Sequence, residues 1–423
     1  MPQKPAFFIA MLSLSFTAHA QKTLNLEQQL GRLLYKDKNL SVNRNQACET
    51  CHALKGIAQE GTANRLSPAF VDPQNSKKGR PVSLGSIPYA SGTLNAPSAG
   101  YAAFSPPFHW DETEGLYVGG QFWNGRAVDL AEQAKKPLLN PVEMAMPNEW
   151  AVVSRIKENG KYVKMFSDIY QLDLNAVPHI KDALFRQPTP AVVGDIYQRM
   201  AHAIAEFEKS AIFNKFNSKF DYVMAGMAQF TPLEARGMAL FNDENKGNCA
   251  ACHPSQISTD ENGKLIPPLF TDFTYDNIGS PRNLKIPANP EPDPGLGGRP
   301  DIRAGEELGK HKVMSLRNIA VTPPYGHNGV FATLEQITHF YNTRDTLGAV
   351  PDNLSQDFGI SGWPIPEIAR NVNKDELGDL GLSATEEKAI VAFMKTLTDD
   401  YPEWGGDPLV PLGTPSPYAV ESE

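Results

Sequence analysis

All four cysteines of this 423-residue chain stand in two Cys-x-x-Cys-His pentads, CETCH from Cys48 to His52 and CAACH from Cys249 to His253. Two thiols at that spacing reach the two vinyl groups of one haem as thioethers. The adjoining histidine then lies under the ring, where its imidazole binds iron. The pentads therefore point to two covalently attached haem c groups, held by Cys48, Cys51, Cys249 and Cys252, with His52 and His253 as axial ligands. Two alternatives use the same thiols. Disulfides leave both trailing histidines without a purpose, and one zinc site needs two distant pairs to converge.

Similar elements precede and follow each pentad. GRLLYKDKNLSVNRNQACETCH from Gly31 and RGMALFNDENKGNCAACH from Arg236 both run from a helix ending in an aliphatic–aromatic pair (Leu34-Tyr35, Leu240-Phe241) through a polar loop. The second of these helices starts at Thr231-Pro232-Leu233-Glu234, with a capping hydroxyl, proline at the first helical position and glutamate two further on. An amphipathic helix closes each unit. One is expected at Val192–Phe213 with Ile196, Met200, Ile204 and Phe207 on one stripe; the other, at Ala384–Leu397, is capped by Ser383 with Glu386. The expected fold is mainly α: two c-type cytochrome domains in tandem, 21–225 and 226–402, with long loop-rich insertions and a tail, 403–423. The 35 prolines and 33 glycines crowd the insertions, Leu66–Pro107, Ile266–Pro300 and Gly348–Pro366.

Lys4, an apolar run from Ala6 to Thr17 and Ala18-His19-Ala20 read as an export signal over residues 1–20, cleaved after Ala20 to place the mature chain in the periplasm. That run is too short to span a bilayer, and no later stretch is long and apolar enough. The net charge of −9 becomes one unit more negative when Lys4 leaves with the signal. An acidic surface argues against nucleic acid as a partner.

QFWNGRAVDLAEQAKKPLLNPVEM (Gln121–Met144) and VMSLRNIAVTPPYGHNGVFATLEQITHFYN (Val313–Asn342), with the paired pentads, resemble the bacterial dihaem cytochrome c peroxidase and MauG family over nearly the whole mature chain. The resemblance implies that the N-terminal haem is the peroxide site and that Glu143, Gln133 and Pro137 furnish its distal pocket. A carboxylate near iron carries a proton between the peroxide oxygens, and a carboxamide donates a hydrogen bond without titrating. A lone glutamate would otherwise read as a solvated charge. Trp123 matches a tryptophan between the haems that relays electrons; taken alone, it would be a core anchor.

Peroxidases of the family carry a histidine ligand on a loop after the first pentad. Between His52 and Asn95 this chain has none, and His109 reads as a surface residue. A first haem without that ligand is open to peroxide from the start, as in MauG. Where the peroxidases supply methionine to the second haem, Tyr341 stands, again as in MauG; a phenolate ligand lowers the potential. Met314 and Met394 are the alternatives, with Tyr341 then a packed core residue.

Asn95, Thr322 and Pro324 match calcium ligands, suitably hard oxygen donors, although such residues are commonly plain turn formers. His327 is expected to hydrogen-bond structurally, and His179, His202, His311 and His339 read as structural or surface residues. The expected partners are hydrogen peroxide and either a periplasmic electron donor (a small cytochrome c or cupredoxin) or a protein substrate; a homodimer is one assembly the reading allows. A pure electron carrier is the competing class, but it needs saturated irons and no proton-carrying pair.

Overall fold

The computed structural model describes residues 23–54, 57–58, 66–67, 70–178, 180, 189–260, 263–302 and 304–418. The expected export signal and His179 lie outside them. The helices that matter for the sites are α1 (Leu26–Tyr35), α2 (Leu130–Leu139), α3 (Glu149–Lys157), α4 (Gly160–Tyr170), α5 (Ala191–Glu208), α6 (Pro232–Phe241), α7 (Leu334–Thr343) and α8 (Ala384–Lys395). Strands among the described residues are two or three residues long and pair only two at a time. The chain is mainly helical, as its periodicity predicts.

Two cores organise the molecule. One gathers Leu30, Leu34, Tyr35, Val153, Phe166, Ile196, Met200, Phe207 and Phe213 from α1, α3, α4, α5 and the turn after α5. The other gathers Leu240, Phe241, Phe270, Phe340, Ile390, Phe393 and Leu397 around α6, α7 and α8. Their backbones are built alike. A Cβ on Gly31 would lie 1.9 Å from the Ala203 carbonyl oxygen and 2.8 Å from Cβ of Phe207. A Cβ on Gly237 would lie 1.9 Å from the Ala389 carbonyl oxygen and 2.8 Å from Cβ of Phe393. In each half the leading helix thus crosses the closing helix at a glycine, because a side chain there would force the backbones apart. The duplication in sequence is a duplication in space.

The caps follow their residues. Asn25 with Gln28, Thr231 with Glu234 and Ser383 with Glu386 close capping boxes at the starts of α1, α6 and α8. Helix α5 ends at Glu208, earlier than the apolar stripe predicts. The chain turns because Asn214 Nδ2 donates to the Glu208 and Ser210 carbonyls, at 3.0 Å each, satisfying oxygens the helix leaves free. The first insertion, expected as loop, also carries one short helix, Pro73–Lys78, started by Asp72 and stopped by left-handed Gly79.

Candidate haem sites and the seam between them

The two pentad histidines are held the same way. His52 Nδ1 lies 3.3 Å from the Phe70 carbonyl, and His253 Nδ1 lies 2.8 Å from that of Phe270. Both phenylalanines are left-handed, with φ of 50° and 55°, which aims each carbonyl at its histidine. An Nδ1–H donating there leaves the Nε2 lone pair free for iron. Burial pushes His253 down to about 4 and His52 below its usual range, keeping both imidazoles in the neutral form that ligates. Tyr35 Oη donates to the His52 carbonyl at 2.8 Å and braces the first pentad from α1. A sequence signal for the two phenylalanines existed: PAFVD (68–72) and PLFTD (268–272) repeat the same pattern.

No disulfide joins any two of the four cysteines, and Cys48 packs on the first core while Cys249 packs on the second. The two pairs therefore do not converge on one zinc site. Cys252 does come within reach of Asp276 and Glu376, their ligand atoms lying within 4.8 Å of one another. A thioether at Cys252 would remove the sulfur from that set.

An apolar cavity with about 540 Å³ of empty space opens over the second pentad. Cys249 and His253 line it together with Tyr341, Met394, Ile337 and Ile390. Tyr341, carried by α7, shares this cavity with His253, and burial raises its phenol well above the usual range. Met394, on α8, is on the same wall; Met314 is not among the lining residues. The apolar lining and the donor set fit a haem.

Helix α2 packs on α5 and is capped by Asp129, whose carboxylate accepts from the Glu132 N–H at 2.8 Å. Gln133 and Pro137 follow one turn apart on one face. Pro137 has no N–H for the Gln133 carbonyl, and the helix stops at Asn140. The NPVEM segment then folds back: the Met144 N–H reaches Pro137 O at 3.1 Å and the Ala145 N–H reaches Asn140 O at 2.9 Å. This loop delivers Glu143, whose Oε1 accepts from Asn140 Nδ2 at 2.7 Å. Burial raises the Glu143 carboxyl above its usual range, opposed by Arg126 and by that hydrogen bond. The Ser86 N–H binds the Glu143 carbonyl at 2.6 Å, and the Glu143 charge reaches both Cys48 and Cys51. The carboxyl thus sits beside the first pentad. His109 stands exposed on a hairpin, its Nδ1 on the Pro107 carbonyl at 2.8 Å.

Trp123 lies where the halves meet. Its Nε1 donates to Asn95 O at 2.8 Å, and the Lys312 N–H binds its carbonyl at 2.8 Å. Gly125, left-handed at φ 65°, lets the turn approach Tyr275 of the other half; a Cβ there would lie 2.2 Å from the phenol oxygen. The imidazoles of His311 and His327 stack 3.6 Å apart and both meet the indole edge-on. His311 Nε2 is 3.0 Å from Asp293, and His327 is paired with Glu367. His327 bonds structurally, as expected, whereas the place of His311 beside Trp123 had no signal in the sequence. His202 pairs with Glu27 and His339 with Glu387.

Asn95 also links the halves, its Nδ2 donating to Pro324 O at 2.7 Å and its N–H to His327 O at 2.7 Å. Thr322 stands two residues away, its hydroxyl on Ile319 O at 3.1 Å. Turning the Asn95 amide over would present two oxygens to one point, a fit for a hard cation.

Two pentad histidines in matched helical units, joined at an aromatic seam, define a di-haem oxidoreductase. A family model described as di-haem cytochrome c peroxidase matches residues 26–229. The chain is 38% identical over 376 residues to the methylamine utilization protein MauG of Paracoccus denitrificans, covering 88% of each. It is 28% identical over 403 residues to the cytochrome c551 peroxidase of Nitrosomonas europaea, covering 93% of this chain and 86% of that one. The diheme peroxidase BthA of Burkholderia thailandensis matches with a TM-score of 0.69 at 28% identity, over 90% of this chain and 88% of that structure. The chain belongs to the di-haem cytochrome c peroxidase family that also holds MauG. It is a peroxidase-type oxidoreductase with two haem cofactors, acting on hydrogen peroxide. Among the described residues no helix is long and apolar enough to cross a membrane.

Proposed function

We propose that residues 21–225 form the peroxidatic half and residues 226–402 the electron-transfer half, with each haem bonded covalently to its cysteine pair. Glu143 carries this reading, because it is a part-buried carboxyl beside the first pentad, and Tyr341 lines the same cavity as His253 in the second half. Bound haem supplies the iron chemistry that splits the O–O bond. His52 Nε2 would hold that iron. Glu143 moves a proton from the near to the far peroxide oxygen, while Gln133 donates a hydrogen bond and Pro137 walls the pocket. Electrons reach the first site through Trp123, held rigid by Asn95, Lys312 and the stacked imidazoles. Tyr341 would hold the iron of the C-terminal haem together with His253, ahead of Met394 and Met314, and Asn95, Thr322 and Pro324 would hold a calcium ion between the halves.

Export to the periplasm belongs to the same proposal, with a small cytochrome c or cupredoxin as electron donor. Tyr341 favours a second reading, in which side chains of a partner protein are oxidised, because an anionic phenolate stabilises oxidised states of the second haem. The test is an electronic absorption spectrum of the purified holoprotein. A high-spin ferric band that shifts on adding peroxide is expected; two low-spin haems inert to peroxide would sink the proposal.

A further inference from the structure

The matched halves differ at one telling position. Gly31 meets Ala203 and Phe207 as Gly237 meets Ala389 and Phe393, so the next residue of each closing helix, Glu208 and Met394, is equivalent. Met394 lines the second haem cavity with Phe241, Cys249 and Ile390. Their counterparts in the first half are Tyr35, Cys48 and Ile204. Glu208 therefore faces the first haem site where an apolar thioether faces the second. An independent observation agrees, since the Glu208 charge bears on both Tyr35 and Cys48.

Glu208 is buried, and among the described residues its Oε2 has no hydrogen-bond partner. At the same helix end Ser210 Oγ and Asn214 Oδ1 are also buried without partners among the described residues. Among those residues no cation is paired with the carboxyl, and burial alone pushes it up to about 8. Among the described residues, the titratable groups its charge bears on are Tyr35 on α1, itself held well above the usual range by burial, and Cys48 in the pentad; Cys51 acts on both of these, Glu49 on Tyr35 and Glu143 on Cys48. Thioether formation removes Cys48 from that set. An unpaired buried carboxylate is costly unless a positive charge lies near. Ferric haem carries one positive charge more than ferrous haem, so the iron is the group whose charge changes beside Glu208.

We propose that Glu208 is the redox-linked proton site of the first haem. One electron enters the ferric haem, and one proton from solvent adds to the Glu208 carboxylate; ferrous haem and a neutral carboxylic acid result. On oxidation both leave. The electron comes from the one-electron donor of the peroxidase reaction, or from a chemical reductant in a titration. The step keeps the net charge of the buried site constant, which is what a low-dielectric pocket favours. Glu208 acts through the haem and is a positioning residue, not a catalytic one.

The inference rests on haem attachment at Cys48 and Cys51. A chain that carries one haem by mass would defeat that reading, whereas the titration below tests this one. In the two-haem holoprotein, the midpoint potential of the peroxide-reactive haem should fall as pH rises from about 6 to 9. The limit for one proton per electron is a tenfold shift per pH unit, about 59 mV. Glu208→Gln should lose that fall, and Glu143→Gln should keep it. If Glu208→Gln does not load haem, Glu208→Met, the residue of the second half, replaces it. The unaltered protein gives a further readout: a carboxylic C=O band should appear on reduction in an infrared difference spectrum and shift in D₂O. A potential independent of pH, a fall that survives in either Glu208 variant, or no such band would each overturn the proposal.

Discussion

Replacing Glu143 with glutamine isolates the proton from everything else the residue does. The glutamine Oε1 still accepts from Asn140 Nδ2, the 2.7 Å bond of the native residue, and the backbone bond from Ser86 is untouched. Fold and haem content should therefore be retained. What disappears is a titratable group beside the first pentad. Losing a positioned acid–base group typically slows a reaction about 10²- to 10⁴-fold. At roughly 1.4 kcal/mol per decade, that raises the barrier by about 3–5 kcal/mol. The competing effect is loss of the attraction to Arg126, and a pair of that kind contributes about 1 kcal/mol or less. More than one decade of rate thus separates the explanations. The assay is stopped-flow absorbance at the first haem against peroxide concentration and pH. The native carboxyl must be ionised to take the first proton, and burial raises its pKa, so the native rate should fall on the acid side at a pH above the usual carboxylate range. The variant should be slow and should lack that acid limb. A variant rate constant within a factor of a few of the native value would remove Glu143 from the mechanism.

Tyr341→Met should raise the reduction potential of the second haem, because a neutral thioether no longer stabilises the ferric charge. A redox titration with the potential and spectrum unchanged would make Tyr341 a wall residue and pass the ligand role to Met394, on the same cavity. Gly237→Ala puts a methyl 1.9 Å from the Ala389 carbonyl oxygen, where ordinary contact begins at 3.4 Å. The helices must part by about 1.5 Å, an overpacking that typically costs about 1–3 kcal/mol. Thermal unfolding should begin earlier, and the absorption bands of the second haem should change while those of the first stay as they are. Unchanged melting and spectrum would show that the crossing is looser than its geometry.

The sequence determined what is local. A Cys-x-x-Cys-His pentad is chemistry within five consecutive residues, so both haem sites were legible without a fold. Capping boxes span four residues, so the starts of α6 and α8 were legible as well. The apolar stripe of α5 was legible, but its end was not, because Asn214 draws its contacts from a turn the periodicity does not encode. Gln133, Pro137 and Glu143 came from one continuous segment, and the loop that carries Glu143 follows a helix interrupted by its own proline. The tertiary structure decided everything that depends on two chains of backbone meeting. The Phe70 and Phe270 carbonyls reach their histidines only because both residues turn left-handed. The seam assembles Trp123, Asn95, His311 and His327 from loops far apart in sequence, through ring stacking and backbone hydrogen bonds that no residue pattern announces. Nothing in the sequence singles out Glu208, and only the glycine-to-carbonyl crossings showed that it stands where the second half keeps a methionine. Burial and close approach are properties of pairs of surfaces, and a sequence carries one surface at a time.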